Sequence, residues 1–558
     1  MKESVLLKFD VPEALRSQLN LQPDGAGGLR IVLPELANMA ADTVGRWVGS
    51  ARRDHPAMVF EQADGKVRSA SFAEVDDEAA RLAQSLRGLG VGKGDRVAVH
   101  TGLRPETGVV HLALYKLGAI AVTLSQLYGV DTLRHVLDHS EARLIVTQDA
   151  AWQPFRGIDF AHLAQRIVIG ERGGDEIAYA DAIAAPAAGF VAESTRADDP
   201  ALLMYTSGST GLPKGMLHGH RILQAYLPSI ALFFNLDLND DAAVFWSPAD
   251  WAWVGGLLDL LLAAWAFGHT VVTSETRFDA EWAFDFMARQ GVTHTFLTPT
   301  ALKRMAEVRH PRQRWPALKL RVVCTGGEAL PGPVLAWCEN ELGVVCNEFY
   351  GLTEVNHLIG NCRALAPTVA GSMGLAYPGH GTTIVDEHGT ELPPGEVGEI
   401  VTRSDDPTQF LGYWRDPERT AALRLGARWL RTGDLGFRDA NGYFWYHGRA
   451  DDLIKSAGYR IGPAEVEECL LRHPAVAEAA VLGVPDTARG QIVRACVRLK
   501  AGQMSGDALT RELQQHVKTQ LAAYKYPREV IYVDRFEMTS SGKIDRKRLG
   551  SKLAGAAR

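Results

Sequence analysis

The sequence predicts an α/β protein with a large N-terminal domain of layered α/β sheets, a small β-barrel-like subdomain and a small α+β C-terminal domain. At 558 residues the chain is too long for one hydrophobic core, so we expect two or more domains. From Ser71 onward, helical and extended hydrophobic patterns alternate, which is typical of parallel sheets covered by helices. The pattern changes after Arg449, and we divide the chain into residues 1-450 and residues 451-558.

The first α/β run consists of amphipathic segments separated by short apolar ones. Helical spacing of apolar residues predicts helices at Phe72 to Leu89, Pro105 to Leu117 and Val130 to His139. Short apolar runs predict strands at Arg96 to Val99, Ala119 to Val122 and Arg143 to Val146.

The second α/β run extends from Ala242 to Val323, with strands predicted at Thr270 to Val272 and Thr295 to Leu297. Its most apolar segment, Trp251 to Phe267, is interrupted by a charged residue and is shorter than a bilayer requires. We therefore predict a buried helix there and no membrane span. Two extended segments around a Pro-Gly turn between Val385 and Val401 predict the barrel-like subdomain.

The C-terminal part has the pattern of a compact α+β unit of about 100 residues. A helix is predicted at Pro463 to Arg472, and strands at Ala479 to Leu482 and Val493 to Leu499.

Composition excludes some classes of function. The apolar fraction of 46% and charged fraction of 22% are those of a soluble globular protein. A net charge of -7 gives no reason to expect nucleic acid as a partner, because that requires a clustered basic surface. The six cysteines show no Cys-x-x-Cys pair, and the N-terminus lacks the apolar core of a signal peptide, so we expect reduced core cysteines in a cytoplasmic protein.

The most informative stretch is Tyr205 to Gly215, which follows the apolar strand Ala201 to Met204. Its glycines allow close approach of an anion, its hydroxyls donate hydrogen bonds and Lys214 adds a positive charge, so it suits a polyphosphate. It lacks the Gly-Lys-Ser/Thr of the common phosphate loop. The alternative is a flexible surface loop.

Five further motifs follow, and each taken alone also fits an ordinary turn. Glu354 could supply the carboxylate that Mg²⁺ prefers beside phosphate oxygens, and Asp434 could accept hydrogen bonds from two ribose hydroxyls. The motifs are Cys324 to Glu328, Phe349 to Glu354, Arg431 to Gly436, Gly448 to Lys455 with Gly458 to Pro463, and Ser541 to Arg546.

Together with Tyr205 to Gly215, these motifs occur in the order and at the separations of the adenylate-forming superfamily, which the chain resembles from Ser71 to Leu549. The sequence is most similar to the medium-chain acyl-CoA synthetases, through Gly458 to Pro463, Pro485 to Gly490 and Tyr524 to Pro527. The resemblance implies a ligase that uses ATP, Mg²⁺, coenzyme A and a small-molecule carboxylic acid. It also implies that the C-terminal domain is mobile and rotates about a hinge at Asp451.

The resemblance assigns the nucleotide site residue by residue. It implies that the β- and γ-phosphates are held by Thr206, Ser207, Gly208, Ser209, Thr210, Gly211 and Lys214. It implies that Gly327, Glu328, Ala329 and Tyr350 frame the adenine and that Asp434 and Arg449 fix the ribose. Three catalytic residues are implied: Thr353 at the α-phosphate, Glu354 as the Mg²⁺ ligand and Lys543 bridging the carboxylate and the α-phosphate.

The remaining assignments concern the thiol and the acyl group. CoA is expected at Gly458, Tyr459, Arg460 and Arg489, although Arg489 also suits a solvated surface. Trp253 is expected either on the acyl pocket or in the core. Acetyl-CoA synthetases carry a tryptophan where Gly351 stands, so glycine is expected to leave space for a longer acid.

A metal site and an acetylation site are each suggested by part of the sequence, and other features of the sequence argue against both. His218-Gly219-His220 invites a metal site, but a metal needs further ligands and the family has similar structural histidines. A lysine acetyltransferase regulates relatives of this chain, and this suggests Lys543 as a site of acetylation here. The residues before it, Glu537 to Gly542, lack the family's proline and lysine, and this argues against that partner. A homodimer is a further option.

We interpret the chain as an AMP-forming acyl-CoA synthetase for a short- to medium-chain, branched or cyclic carboxylic acid. One alternative is an adenylating enzyme that transfers the acyl group to a carrier protein. Another is a non-catalytic nucleotide-binding relative, against which the joint presence of Glu354, Asp434 and Lys543 argues.

Overall fold

A computed structural model of the chain describes residues 7–25, 27–187, 189–206, 213–450, 452–456, 459–486, 489–538 and 544–556, without the side chains of Arg460, Lys547 and residues 554–556. Within these ranges the chain forms two large sheets, two five-stranded sheets and a small N-terminal hairpin of Leu21–Pro23 with Leu29–Ile31. The α/β fold with a large N-terminal and a small C-terminal domain is confirmed. The boundary at residue 451 lies outside the described residues and stays a prediction.

The first large sheet carries the strands on both sides of the predicted phosphate-binding stretch. Its strands run parallel from Pro200–Thr206 outward, whereas Lys214–Gly219 returns antiparallel beside Pro200–Thr206. The three strands predicted for the first α/β run each begin within one residue of the expected position. In spatial order the strands are Gly412–Tyr413, Lys214–Gly219, Pro200–Thr206, Ile120–Thr123, Arg96–His100, Leu144–Gln148, Gln165–Ile169 and Ile177–Ala178.

The second large sheet brings two of the predicted motifs together. Its strands are parallel from Val345–Tyr350 across to Pro56–Glu61, so Gly326 and Tyr350 end neighbouring strands at the same edge. Ligands of such sheets bind at the carboxyl ends of the strands. In spatial order the strands are Leu375–Ala376, Ile359–Gly360, Val345–Tyr350, Val322–Gly326, His294–Phe296, Val244–Trp246, Thr270–Ser274, Pro56–Glu61 and Val67–Ser71.

Helices cover these sheets and fill the space between them. Helix Phe72–Gly88 begins at a capping box, in which Ser71 and Glu74 bond each other's backbone, and it buries one face. Helices Pro105–Lys116 and Arg221–Phe233 are buried along most of their length in a core shared by both sheets. The other α-helices of this domain are Glu13–Arg16, Arg46–Val48, Val130–Ser140, Asp149–Trp152, Tyr179–Ala182, Val254–Gly256, Ala263–Ala266, Ala280–Gln290, Pro299–Met305, Pro311–Arg314, Gly332–Trp337 and Pro417–Ala422. Single turns of other helix types are Ala41–Gly45, Gln153–Phe155, Leu257–Leu262 and Cys338–Leu342.

The apolar segment from Trp251 to Phe267 is a buried helix, as predicted. It runs from Val254 to Ala266 with a π-helical turn at Leu257–Leu262 in its middle. Among the described residues, no helix is long and apolar enough to cross a membrane.

The two five-stranded sheets form the smaller units. The barrel-like unit is antiparallel, with strands Thr383–Val385, Gly398–Arg403, Trp429–Arg438, Arg424–Leu425 and Phe444–Arg449. The C-terminal sheet has strands Tyr459–Ile461, Ile454–Ser456, Gly490–Leu499, Val476–Asp486 and Glu529–Tyr532. Helices Pro463–Leu471, Asp507–Gln520 and Arg546–Ala556 complete the C-terminal domain.

All six cysteines are free and buried, as expected for reduced core residues. Four belong to the N-terminal domain and two to the C-terminal domain: Cys324, Cys338, Cys346, Cys362, Cys469 and Cys496.

Candidate active site

The ends of the predicted phosphate-binding stretch lie side by side. Thr206 and Lys214 are paired in register at the open end of an antiparallel strand pair. The Lys214 ammonium lies 5.5 Å from the ring centroid of Tyr413, on the neighbouring edge strand. The predicted phosphate ligands Ser207, Gly208, Ser209, Thr210 and Gly211 lie outside the described residues.

A pair of histidines holds the two ends of this stretch. His135 Nε2 donates to the carbonyl oxygen of Pro213 at 2.9 Å, and His139 Nδ1 lies 2.8 Å from the hydroxyl of Tyr205. The two imidazoles stack with their centroids 5.4 Å apart on helix Val130–Ser140. The helix was predicted from its amphipathic spacing, but nothing in the sequence indicated these two contacts.

Asp434, the predicted ribose ligand, is the centre of a buried polar cluster. The Tyr350 hydroxyl donates to its Oδ2 at 2.7 Å, and the Tyr446 hydroxyl to its Oδ1 at 3.4 Å. Arg449 stands directly opposite on the next strand, with a guanidinium nitrogen 3.7 Å from Oδ1. Burial and the Asp434 charge raise the pKa of the Tyr350 hydroxyl, which therefore remains a donor. Tyr446 belongs to no motif that we identified.

The turn that follows Tyr350 carries Thr353 and Glu354. The backbone N–H groups of Val355 and Asn356 both donate to the carbonyl of Leu352, which closes the turn. Thr353 is half-buried in this turn.

Glu354 is fixed from a second segment of the chain. Its Oε1 accepts a hydrogen bond of 2.6 Å from the Tyr413 hydroxyl, and its backbone carbonyl accepts one of 2.8 Å from the Phe410 N–H. Among the described residues, the bond from Tyr413 is the one hydrogen bond that the carboxylate accepts, and it is made by Oε1. One carboxylate oxygen beside nucleotide phosphates is a usual donor set for Mg²⁺, and the residues present fit that ion.

Gly351 differs from the expectation that it leaves space open. A Cβ atom built there would lie 2.6 Å from the carbonyl carbon of Asn356 and 2.8 Å from the backbone nitrogen of His357. The space beside Gly351 is thus filled by the returning backbone of its own turn. Glycine is required here by close packing of two backbone segments, and its absence of a side chain does not enlarge a cavity in this direction.

Gly327, Glu328 and Ala329, expected to frame the adenine, follow strand Val322–Gly326 at the same sheet edge as Tyr350. Gly327 has a φ of +85°, a conformation that favours glycine. The Thr300 hydroxyl donates to Glu328 Oε2 at 2.9 Å.

Behind this segment, Glu348 Oε1 accepts from the backbone N–H of Leu330 at 2.8 Å. Burial raises the pKa of Glu348 to about 8. The neutral acid is therefore the form that the fold favours beneath the predicted adenine site.

Trp253, expected on the acyl pocket or in the core, is half-buried. Its ring packs edge-on against Tyr128 with centroids 6.2 Å apart. The indole is part of the apolar cluster on the first large sheet, which fits either reading.

Two of the predicted CoA residues, Tyr459 and Arg489, lie at one end of the C-terminal sheet. Ser456 pairs with Tyr459 on one side and with Gly490, next to Arg489, on the other. The Tyr459 ring is half exposed and stacks on Tyr524 at 4.1 Å. Gly458, the side chain of Arg460, the hinge Asp451 and Lys543 lie outside the described residues.

The two histidines that invited a metal site are core residues. His218 and His220 are fully buried, and burial lowers their pKa values to about 3 and about 4. The His220 ring accepts a hydrogen bond from the Met39 N–H at 3.2 Å. Among the residues described, no group of three or more metal-ligating side chains occurs.

Comparison with known proteins extends this picture over most of the chain. The AMP-binding enzyme family matches residues 46–414, and the AMP-binding enzyme C-terminal domain matches residues 465–543. An uncharacterised acyl-CoA ligase, YtcI, of Bacillus subtilis is 34% identical, over 90% of this chain and 93% of its own length. Acetyl-coenzyme A synthetase of Bacillus subtilis is 34% identical over 91% of this chain and 89% of its own length. Acyl-coenzyme A synthetase ACSM5 of Mus musculus is 34% identical over 94% and 92%.

Solved structures show the same likeness in three dimensions. The anthranilate CoA ligase AuaEII, in complex with anthranoyl-AMP, matches with a TM-score of 0.83 and 30% identity, over 94% of this chain and 99% of that one. A benzoate CoA ligase from Burkholderia xenovorans LB400 matches with a TM-score of 0.81 and 28% identity, over 92% and 99%.

Proposed function

The chain belongs to the AMP-binding enzyme family and is an AMP-forming ligase, and from this premise we propose that it converts a short- to medium-chain carboxylic acid into its CoA thioester through an acyl-adenylate. ATP and CoA are the co-substrates, and Mg²⁺ accompanies the nucleotide. We propose an acid of about four to eight carbons, branched and cyclic ones included, because each methylene that an acyl pocket buries would add about 0.8 kcal/mol over acetate.

The observation that carries this proposal is two groups of contacts joined by the turn from Tyr350 to Glu354, which together we call the nucleotide cleft. Its members are Lys214, Tyr413, Glu354, Tyr350, Asp434, Arg449 and Tyr446. Cation, metal-type carboxylate and ribose-type carboxylate are thereby brought together from segments far apart in the sequence.

In the first half-reaction the acid's carboxylate attacks the α-phosphate of ATP, and pyrophosphate leaves. Two anions must approach, so the barrier is mainly electrostatic and positional. We assign Thr353 and Lys543 to the α-phosphate, and Lys214 with the adjoining hydroxyl-rich stretch to the leaving phosphates. Mg²⁺ held by Glu354 would supply charge neutralisation on the phosphate oxygens.

In the second half-reaction the CoA thiol attacks the acyl carbonyl and AMP leaves. Lys543 and the face that carries Tyr459, Arg460 and Arg489 cannot both occupy the same site, so we assign rotation about Asp451 between the two steps. Arginines suit the CoA phosphates because guanidinium binds phosphate in a bidentate manner.

The acyl pocket does not extend beside Gly351, because backbone fills the space next to that residue. Trp253 remains our candidate for the pocket wall. Structural relatives named for anthranilate and benzoate at 28–30% identity favour a cyclic acid, whereas the relative named for acetate favours a smaller one.

The proposal is tested by profiling thioester formation from ATP and CoA across acetate, butyrate, hexanoate, cyclohexanecarboxylate and benzoate. We expect kcat/KM to exceed the acetate value by one to three orders of magnitude for one of the larger acids. Acetate as the preferred acid would contradict the size range. Activity with a phosphopantetheinylated carrier protein but not with CoA would favour acyl transfer to a carrier. Absence of acid-dependent pyrophosphate exchange with every acid would favour a non-catalytic nucleotide-binding protein.

A further inference from the structure

The segment from Phe410 to Trp414 connects two parts of the nucleotide cleft that are distant in sequence. The Leu411 and Trp414 N–H groups donate to the carbonyls of Leu217 and Gly215, on the strand that begins at Lys214. The Phe410 N–H donates to the carbonyl of Glu354. Backbone hydrogen bonds therefore join the segment to strand Lys214–Gly219 on one side and to the turn that carries Glu354 on the other.

The side chain of Tyr413 makes the same connection. Its hydroxyl donates to Glu354 Oε1 at 2.6 Å, the length of a charge-assisted hydrogen bond. Its ring faces the Lys214 ammonium at 5.5 Å, within the range of a cation–π contact. Tyr413 is 8% exposed, and its own N–H is held by the Thr420 hydroxyl at 2.9 Å. Burial and the Glu354 charge raise the pKa of the phenol, which keeps its proton.

We propose that Tyr413 is a positioning residue of the adenylation site: it turns Glu354 so that Oε2 faces the metal and holds Lys214 toward the nucleotide phosphates. The inference rests on the proposed function, because it assumes that ATP and Mg²⁺ bind in the nucleotide cleft. A carboxylate on a free side chain rotates, whereas one oxygen held by a phenol leaves the other at a fixed place. Tyr413 acts through Glu354 and Lys214 and does not itself contact the reacting atoms.

A purely structural role would have a different signature. Tyr413 also packs against Met216 and Phe410 in a small apolar cluster, and that packing requires only the ring. Substitution by phenylalanine keeps the ring and removes only the hydrogen bond to Glu354. Tyr446 offers a matched comparison, since its hydroxyl also donates to a carboxylate of the cleft, Asp434, on the ribose side.

The test measures binding of α,β-methylene ATP by titration calorimetry, with EDTA and with Mg²⁺. The ratio of the two Kd values reports how strongly metal and nucleotide are coupled. We expect Tyr413→Phe to reduce this ratio about tenfold and to leave the metal-free Kd unchanged. Tyr446→Phe should weaken both Kd values equally and keep the ratio. Tyr413→Leu should lower the ratio and also weaken the metal-free Kd, because Lys214 loses the ring.

A double-mutant cycle with Glu354→Gln separates positioning from packing. If Tyr413 acts through Glu354, Tyr413→Phe should lower the metal ratio no further in a Glu354→Gln background. Thermal unfolding of each variant establishes that it is folded, and the Glu354→Gln background supplies the comparison if Tyr413→Phe alone is unstable. An unchanged or increased ratio in Tyr413→Phe overturns the inference while the proposed function stands. A wild-type protein that does not bind the analogue overturns both.

Discussion

The nucleotide cleft and the exposed end of the C-terminal sheet carry the side chains that we propose as functional in opposite ways. In the cleft, Asp434 and Glu354 each accept a hydrogen bond from a tyrosine hydroxyl, at 2.7 and 2.6 Å. On the C-terminal sheet, Tyr459 is 50% exposed and contacts another exposed ring, Tyr524. The cleft fixes the direction of its charges before a ligand arrives, which is what electrostatic stabilisation of a phosphoryl transfer requires. The C-terminal face presents a surface that a co-substrate can approach.

This comparison predicts that substitutions in the two regions affect different half-reactions. The largest expected effect is at Lys543. Lys543→Ala should lower acid-dependent pyrophosphate exchange by two or more orders of magnitude, about 3 kcal/mol, because an aimed ammonium is lost from the transition state. Thioester formation from supplied acyl-adenylate should largely survive.

Lys552→Ala is the control. Lys552 lies on the last helix and forms a salt bridge with Glu537, outside that helix. Equal loss of both half-reactions in Lys543→Ala would contradict the assignment of the two regions to different half-reactions.

The second prediction concerns the close packing of the cleft. Gly351→Ala should lower adenylation of every acid by ten- to a hundredfold and destabilise the fold by about 1–3 kcal/mol, because its Cβ meets the backbone of Asn356. Selectivity between acetate and hexanoate should change little. Gly332→Ala is the control, since its Cβ would have its nearest neighbour at 3.8 Å. A Gly351→Ala enzyme with normal turnover and altered acid preference would show that this position borders the acyl group.

The third prediction tests the exposed face. Arg489→Ala should raise the KM for CoA about tenfold, through loss of a charge-assisted contact to phosphate, and leave pyrophosphate exchange unchanged. Arg472→Ala, which removes a half-exposed arginine paired with Glu468, serves as control. A loss of pyrophosphate exchange in Arg489→Ala would place this residue in the first half-reaction and blur the distinction between the two regions.

The last prediction concerns stability and leaves the catalytic steps aside. Glu348 is a buried acid beneath the cleft, and burial raises its pKa from 4.5 to about 8. The unfolded chain ionises first, so the stability present below pH 4.5 is lost progressively until about pH 8, at no more than about 1.4 kcal/mol per pH unit. Glu348→Gln should remove this loss. The unfolding free energy of the variant, taken relative to that of wild type, should therefore rise between pH 5 and pH 8. Glu339→Gln, at a surface salt bridge, should show no such trend. Parallel pH profiles for Glu348→Gln and wild type would contradict the shift.

The sequence predicts the local structure of this protein well and its long-range contacts poorly, for physical reasons. Helices such as Phe72–Gly88 are predicted because their apolar residues must recur at the helical period. The contacts of the cleft join residues 84 and 59 positions apart, Tyr350 with Asp434 and Tyr413 with Glu354, and no periodicity records them. Tyr413 and Tyr446 could therefore not be assigned from their local sequence.

Gly351 shows a second limit. A glycine in a sequence indicates a missing side chain, but it does not say whether substrate or backbone takes the space. In this chain the fold returns over the glycine, and only the three-dimensional structure shows that the peptide of Asn356 lies against it.

The distribution of the cysteines allows local opening of the two domains to be followed through the protein's own thiols. All six thiols are buried, and burial raises the pKa of those at Cys324, Cys362, Cys469 and Cys496. A thiol reagent in solution can therefore modify them only when the surrounding structure opens. Because Cys469 and Cys496 belong to the C-terminal sheet and its helix while the other four line the N-terminal core, mass spectrometry of a labelling time course would time the opening of each domain separately, without any introduced probe.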